Sequence, residues 1–298
     1  MRKVKVFWRT IALLLLFLVI SQVLPIVGAF AFVIHDMSMG MTKEAFEEHF
    51  LRSDFTKCLM IIGYVMAIAL FIHKRYVKVS LGRLARMDRD TLRTAIGMAA
   101  VISLGWMLTE ISLMALADVE SLFPEDSEKL DKMYGALGEG VLGFVAGAIL
   151  GPIGEEITFR GVLMRGLLRM RWHPWVAIVV SALVFALCHG TELQMFGTTI
   201  FGIIVGWLYW RTKSLLPCMV VHVVNNSFAF GATNFFPEED EPEPCAWVWI
   251  LVLAFSVPLL MYGINCTSKE FKVAKITEDG NICDNYGNKY LPKDVEVI

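Results

Sequence analysis

Apolar runs of about bilayer-spanning length recur along this chain. Hydrocarbon accepts a backbone only when its polar groups are hydrogen-bonded internally, which such runs achieve as helices. They cover Thr10 to Ile34, Cys58 to His73, Thr94 to Ala117, Tyr134 to Arg169, Pro174 to His189, Met195 to Trp210, Leu215 to Phe235 and Cys245 to Ile264. In 298 residues that are 56% hydrophobic and 19% charged, with mean hydropathy +0.58, they predict an all-α polytopic membrane protein of about eight transmembrane helices. No nucleic-acid footprint is present.

Charge between the runs sets an expected orientation. Lys3, Lys5 and Arg9 precede the first run, and a basic segment from Lys74 to Arg93 follows the second. Arg165, Arg169 and Arg171, then Arg211 and Lys213, mark two further basic ends. Acidic stretches alternate with them: residues 35–57, Asp118 to Asp131, and the proline-rich run Pro237 to Pro244, each read as an external loop. The positive-inside rule then puts both termini in the cytoplasm, with the first run as an uncleaved span. The basic segment reads as a topology signal lying on anionic headgroups. With no retention or glycosylation logic, a bacterial inner membrane is the expected location.

The organisation divides into N-terminal spans and loops over 1–134, a core over 135–235, a last span over 236–265 and a polar cytoplasmic tail over 266–298. The tail has turn signals at Asp279-Gly280-Asn281 and Tyr286-Gly287-Asn288, with short β-like runs at Phe271 to Ile276 and Lys289 to Leu291. The six cysteines form no CxxC pair and no even framework, and are read as ordinary buried thiols.

Within the fourth run lies Gly151-Pro152-Ile153-Gly154-Glu155-Glu156-Ile157-Thr158-Phe159-Arg160. Carboxylates at that depth are costly unless paired, hydrated or working. Glu156 and Arg160 are spaced for an i to i+4 ion pair, while Glu155 points about 100° away and is free for chemistry. The run from Tyr134 to Arg169 exceeds one straight span, so a break or kink is expected at Gly151-Pro152 and Gly154. His35, His49, His73 and His173 fall at span ends or loops. His189 closes the fifth run, and His222 shares a helix face with Asn226 in the seventh. At about 1.5 Å per residue, Glu155 and His189 lie about 20 to 25 Å from the cytoplasmic turns, Asn226 about 20 Å and His222 about 13 Å.

Glu155-Glu156-x-x-x-Arg160-Gly161, Phe185-x-x-x-His189 and His222-x-x-x-Asn226, in that order on successive spans, resemble the three motifs of the CAAX prenyl protease and bacteriocin-processing (CPBP, or Abi) family of intramembrane proteases. The resemblance covers roughly residues 135 to 235. It implies peptide-bond hydrolysis in the membrane, with Glu155 as general base and His189 holding and polarising the water. It also implies that His222 and Asn226 stabilise the oxyanion and that Glu156 and Arg160 form a supporting pair. No cofactor is implied, and the expected partners are a membrane-associated or prenylated protein or peptide and the bilayer. Two alternatives use the same residues differently. Glu155, His189 and His222 could hold Zn²⁺ with an open position for water, although no HExxH helix is present. A non-catalytic scaffold, a bacteriocin-immunity protein or a proton-relaying transporter is the other.

Overall fold

The computed structural model describes residues 2–38, 40, 42, 49–73, 89–235 and 244–271, and three two-residue strands at 275–276, 282–283 and 289–290. Most of the basic segment, the acidic run at 237–243 and most of the tail lie outside the described residues. The helices are α1 Arg2–Ser38, α2 Asp54–His73, α3 Arg89–Leu116, α4 Val119–Leu122, α5 Pro124–Gly138, α6 Gly140–Arg169, α7 Pro174–Ala186, α8 Glu192–Thr212, α9 Leu215–Phe235 and α10 Ala246–Glu270.

The protein is an all-α polytopic membrane protein, and each apolar run is helical. Among the described residues six helices are long and apolar enough to cross a bilayer, while Pro174–Ala186 and Leu215–Gly231 are shorter. The 13 residues of α7 rise only about 20 Å, against a hydrocarbon core of about 30 Å. A helix ending that early leaves the residues beyond it, His189 included, at membrane depth.

The acidic stretch expected to be a loop is instead α4 and α5. Pro124 occupies the first turn of α5, where its missing N–H costs nothing. Glu125 and Asp126 in the same turn complement the helix dipole.

The expected break occurs, but before the Gly-Pro sequence. Between α5 and α6, Glu139 is extended (ψ 119°) and Gly140 has φ +77°, a conformation that favours a residue without Cβ. The second span anchors this reversal: the buried Lys57 donates from Nζ to the Glu139 carbonyl at 2.7 Å, and Arg52 pairs with the Glu139 carboxylate at 2.6 Å. Past this point α6 continues through Gly151-Pro152 without interruption. It does so by rewinding: Val145–Leu150 and Ile157–Met164 are π-helical, flanking an α-helical Gly151–Glu156. Pro152 has no N–H to give four residues back, and its ring would crowd that carbonyl. The wider π turn before it absorbs the mismatch.

All eight residues of Ile157–Met164 are buried, because α1, α2, α7, α8 and α9 pack around α6. Small residues let the outer helices close up. The most extensive pairing is α3 on α10, where a Cβ at Gly105 would stand 2.6 Å from the Leu260 nitrogen. Thr109 donates to Ser256 across that seam at 2.9 Å. Between α7 and α8, a Cβ at Gly202 would lie 2.9 Å from Ala182 Cβ. Ser181 on α7 donates to the Phe159 carbonyl of the π segment at 2.9 Å.

The cysteine reading needs revision, since among the described thiols only Cys218 is buried, and Cys58, Cys188 and Cys245 are exposed. A span's outer face meets lipid, where a thiol is as acceptable as in a core. In the tail, β1 Lys275–Ile276, β2 Ile282–Cys283 and β3 Lys289–Tyr290 form an antiparallel sheet in that order, pairing Ile276 with Ile282 and Cys283 with Lys289. β1 and β3 fall in the expected runs, and β2 was not foreseen.

Candidate active site

Glu155 and Glu156 leave α6 on different sides, as their spacing predicts. The Glu156 side chain is fully buried, and Arg160 one turn later donates from Nη1 to its Oε1 at 2.9 Å. Arg160 also donates from Nη2 to the Gly202 carbonyl of α8 at 3.2 Å, and its guanidinium lies 4.9 Å from the centroid of the Phe185 ring. A buried charge is stable only when paired and hydrogen-bonded, and this pair has both.

A third member joins it from α9. His222 Nδ1 lies 2.8 Å from Glu156 Oε1, so this nitrogen carries the hydrogen and donates. The opposite ring nitrogen, Nε2, faces Glu155 Oε2 at 3.6 Å. His222 thus bridges the two glutamates. A uniform rise per residue puts His222 about one to two turns short of Glu155, whereas the structure brings the two side chains together. The Glu155 side chain retains 24% of its exposure, while His222 retains 4% and Glu156 none.

Phe185 is the hub around which these groups pack. Its ring makes edge contacts with Phe159 at 5.1 Å, His189 at 4.7 Å and His222 at 5.7 Å. Phe201 of α8 closes the other side of His222 at 5.0 Å. His189, in the turn after α7, lies 2.9 Å from the Phe185 carbonyl through Nδ1. A carbonyl only accepts, so Nδ1 carries the hydrogen and the neutral ring offers Nε2 as an acceptor. Asn226 donates from Nδ2 to the Gly147 carbonyl in the first π segment at 3.2 Å, leaving one amide hydrogen and the amide oxygen uncommitted.

The structure therefore brings Glu155, Glu156, Arg160 and His222 into direct contact. His189 joins through Phe185, and Asn226 reaches α6 one helical turn from His222 on α9. Among the described residues no three His, Cys, Asp or Glu side chains converge as a metal-holding group. Chemically the arrangement offers a partly exposed carboxylate beside an imidazole whose far nitrogen is fixed by a buried ion pair.

Three features were not anticipated. The Gly202 carbonyl and the Gly147 carbonyl are backbone groups with no sequence signal. Glu110, by contrast, is an ionisable residue inside the third apolar run, which is itself a signal. Tyr134, on α5 outside the spans, accepts a hydrogen bond from Gln194 at 3.2 Å. Burial raises its hydroxyl above the usual phenol range, the Gln194 bond pulls it back, and the charges of Glu110 and Glu155 push it up again.

Comparison with known proteins bears out the resemblance read from the three motifs. Residues 137–228 match the family model described as Type II CAAX prenyl endopeptidase Rce1-like, a segment containing all eight motif residues from Glu155 to Asn226. The chain is also 27% identical over 103 residues to "Putative membrane peptidase YdiL" of Bacillus subtilis (strain 168). That similarity covers 35% of this chain and 42% of the relative, so the chain spans less than half of its length. No solved structure gives a significant match.

Proposed function

We propose that this chain, whose residues 137–228 carry the Rce1-like family segment, is an intramembrane endopeptidase that hydrolyses a membrane-associated or prenylated protein or peptide. The observation that carries the reading is the division of labour between adjacent glutamates. Glu156 is consumed by Arg160 and His222, and Glu155 stands half-buried, 3.6 Å from His222 Nε2 and, among the described residues, in no ion pair with a lysine or arginine.

Glu155 takes a proton from water, and the water oxygen attacks the peptide carbonyl carbon. His189 accepts the water's second hydrogen at Nε2 and orients it. The developing oxyanion receives the free Nδ2 hydrogen of Asn226 and, when the ring is doubly protonated, the Nε2 hydrogen of His222. Preorganised donors in a site closed to bulk water are worth far more than the same donors in solution. Arg160 and Glu156 fix the His222 tautomer, as a buried carboxylate does for other catalytic imidazoles. No cofactor takes part in this scheme; its zinc alternative uses Glu155, His189 and His222 as ligands.

The test is cleavage, in detergent or liposomes, of prenylated CAAX peptides and unmodified membrane-helix peptides by the wild type and by Glu155→Ala of matched stability. Cleavage by the wild type alone supports the reading and begins to name the substrate. Equal cleavage by both removes Glu155 from the chemistry. A phenotype that survives Glu155→Ala, with no cleavage by either, favours a scaffold.

A further inference from the structure

Asn226 is the middle one of three residues on successive turns of α9 that meet α6. His222 contacts Glu156 at 2.8 Å, Asn226 donates to the Gly147 carbonyl at 3.2 Å, and Phe230, one turn beyond, lies over Gly147 itself. A Cβ at position 147 would stand 2.9 Å from both Cε1 and Cε2 of Phe230 and closer still to Cζ, so the buried ring occupies the space a side chain there would fill. One glycine therefore serves twice. Its carbonyl orients the amide, and its bare Cα receives the ring that fixes the spacing of the two helices.

The ring is also held from α5. Tyr134 meets Phe230 edge-on, with centroids 5.1 Å and planes 87° apart. Two hydrogen bonds tie α5 in turn to the start of α8: Gln194 donates from Nε2 to the Tyr134 hydroxyl at 3.2 Å, and the Leu193 N–H donates to the Asp126 carboxylate at 3.1 Å. Phe230 and Tyr134 both fall outside residues 137–228, whereas Gly147 and Asn226 fall inside. The family segment supplies the amide donor, and the flanking elements of this chain hold it.

Resting on the endopeptidase reading, the geometry points to Phe230, backed by Tyr134, as the positioning residue that sets the Asn226 amide for the oxyanion. Both rings act through Asn226 and not on the substrate. With Phe230 seated on Gly147, the carbonyl takes one Nδ2 hydrogen, and the planarity of the amide fixes the direction of the other. Emptying that notch lets α9 shift against α6. A donor displaced by about 1 Å costs up to about 10²-fold in rate.

Dependence on Asn226 separates this role from a merely structural one. Cleavage of a peptide found as above is measured for Phe230→Leu with Asn226 in place and with Asn226→Ala. With Asn226 in place the substitution is expected to lower kcat by about 10 to 10²-fold at nearly constant KM. In the Asn226→Ala chain it should change kcat by less than about twofold, because no donor is left to misplace. Tyr134→Ala should show the same dependence at smaller size. Losses of similar size in both backgrounds, or none in either, overturn the inference while leaving the endopeptidase reading intact. A size swap tests the contact itself: Gly147→Ala should lower kcat and the unfolding midpoint, and adding Phe230→Leu should restore part of both by making room for the methyl. Failure to restore either overturns the inference as well. Unfolding midpoints need no substrate, so the coupling of positions 147 and 230 is tested whether or not a peptide is cleaved. Glu155→Gln cutting at the wild-type rate would sink the underlying reading whatever Phe230 does.

Discussion

His222 makes its short contact with Glu156 and not with Glu155: Nδ1 to Glu156 Oε1 is 2.8 Å, whereas Nε2 to Glu155 Oε2 is 3.6 Å. Adjacent, chemically identical residues are therefore predicted to fail differently. Glu155→Gln should reduce kcat by about 10² to 10⁴-fold, the range for a general base. Its stability should change by no more than about 0.5 kcal/mol, since the side chain is partly exposed and unpaired to arginine. Glu156→Gln should lose activity together with stability. Parallel cleavage assays and unfolding curves in one detergent check the contrast, and similar stability losses in both variants would refute it.

Arg160 has less chemical freedom than any other residue of the site. Its partners are a buried carboxylate, a backbone carbonyl and an aromatic face, and its side chain is 1% exposed. Removing one member of a buried pair strands the other. Arg160→Met should therefore cost about 3 to 5 kcal/mol. Arg160→Lys should recover only part of this, because an ammonium cannot reach Glu156 and Gly202 in the same fork. Denaturant unfolding of the three proteins measures both effects.

The pairing of Glu156 with Arg160 and the freedom of Glu155 were legible from helical spacing alone, because an α-helix fixes which residues share a face. The π-wound segments were not. A proline inside an apolar run signals trouble for an α-helix but does not say whether the chain will break, kink or rewind. The true break at Glu139-Gly140 was masked by the acidic stretch before it, which looks like a loop until Pro124 and its first-turn acids are read as a helix start. The meeting of His222 with Glu155 was not legible from residue counts along separate helices, because such counts do not fix how far one helix is shifted along its neighbour. Gly147 and Gly202 contribute through backbone carbonyls, which no side-chain pattern can announce.

Gly140 permits the reversal that aims α6 into the bundle, and its φ of +77° is disfavoured for any residue with a Cβ. Open space surrounds the position, so a substitution there tests backbone conformation alone. Gly140→Ala should cost about 1 to 2 kcal/mol. Activity of the folded fraction should be unchanged, because the Lys57 contact to the Glu139 carbonyl still holds the corner. A loss of activity at unchanged stability would mean instead that the reversal sets the site's geometry.

Asn226 has two amide hydrogens, of which the Gly147 carbonyl occupies one. If the other serves the oxyanion, Asn226→Ala should lower kcat by about 10² to 10³-fold with little change in KM, because the bond strengthens only in the transition state. Asn226→Asp should be no better, since it replaces donors by acceptors facing negative charge. A rise in KM at constant kcat would assign Asn226 to ground-state binding.

Metal dependence turns on whether His189 and His222 can face one point. His222 has Nδ1 on Glu156 and Nε2 toward Glu155, while His189 Nδ1 is on the Phe185 carbonyl, leaving Nε2 as its only possible ligand atom. A zinc site would need both Nε2 atoms and Glu155 within about 2.0 to 2.2 Å of one ion, which among the described residues no such trio approaches. The prediction is that dialysis against phenanthroline leaves cleavage within about twofold of the starting rate, the assay's ordinary scatter being far below a metalloenzyme's loss of its Lewis acid. Elemental analysis of the active preparation should find zinc well below one equivalent. Loss of activity that zinc alone restores would convert Glu155 from general base to ligand and overturn the proposed mechanism, leaving the same six residues to be reassigned.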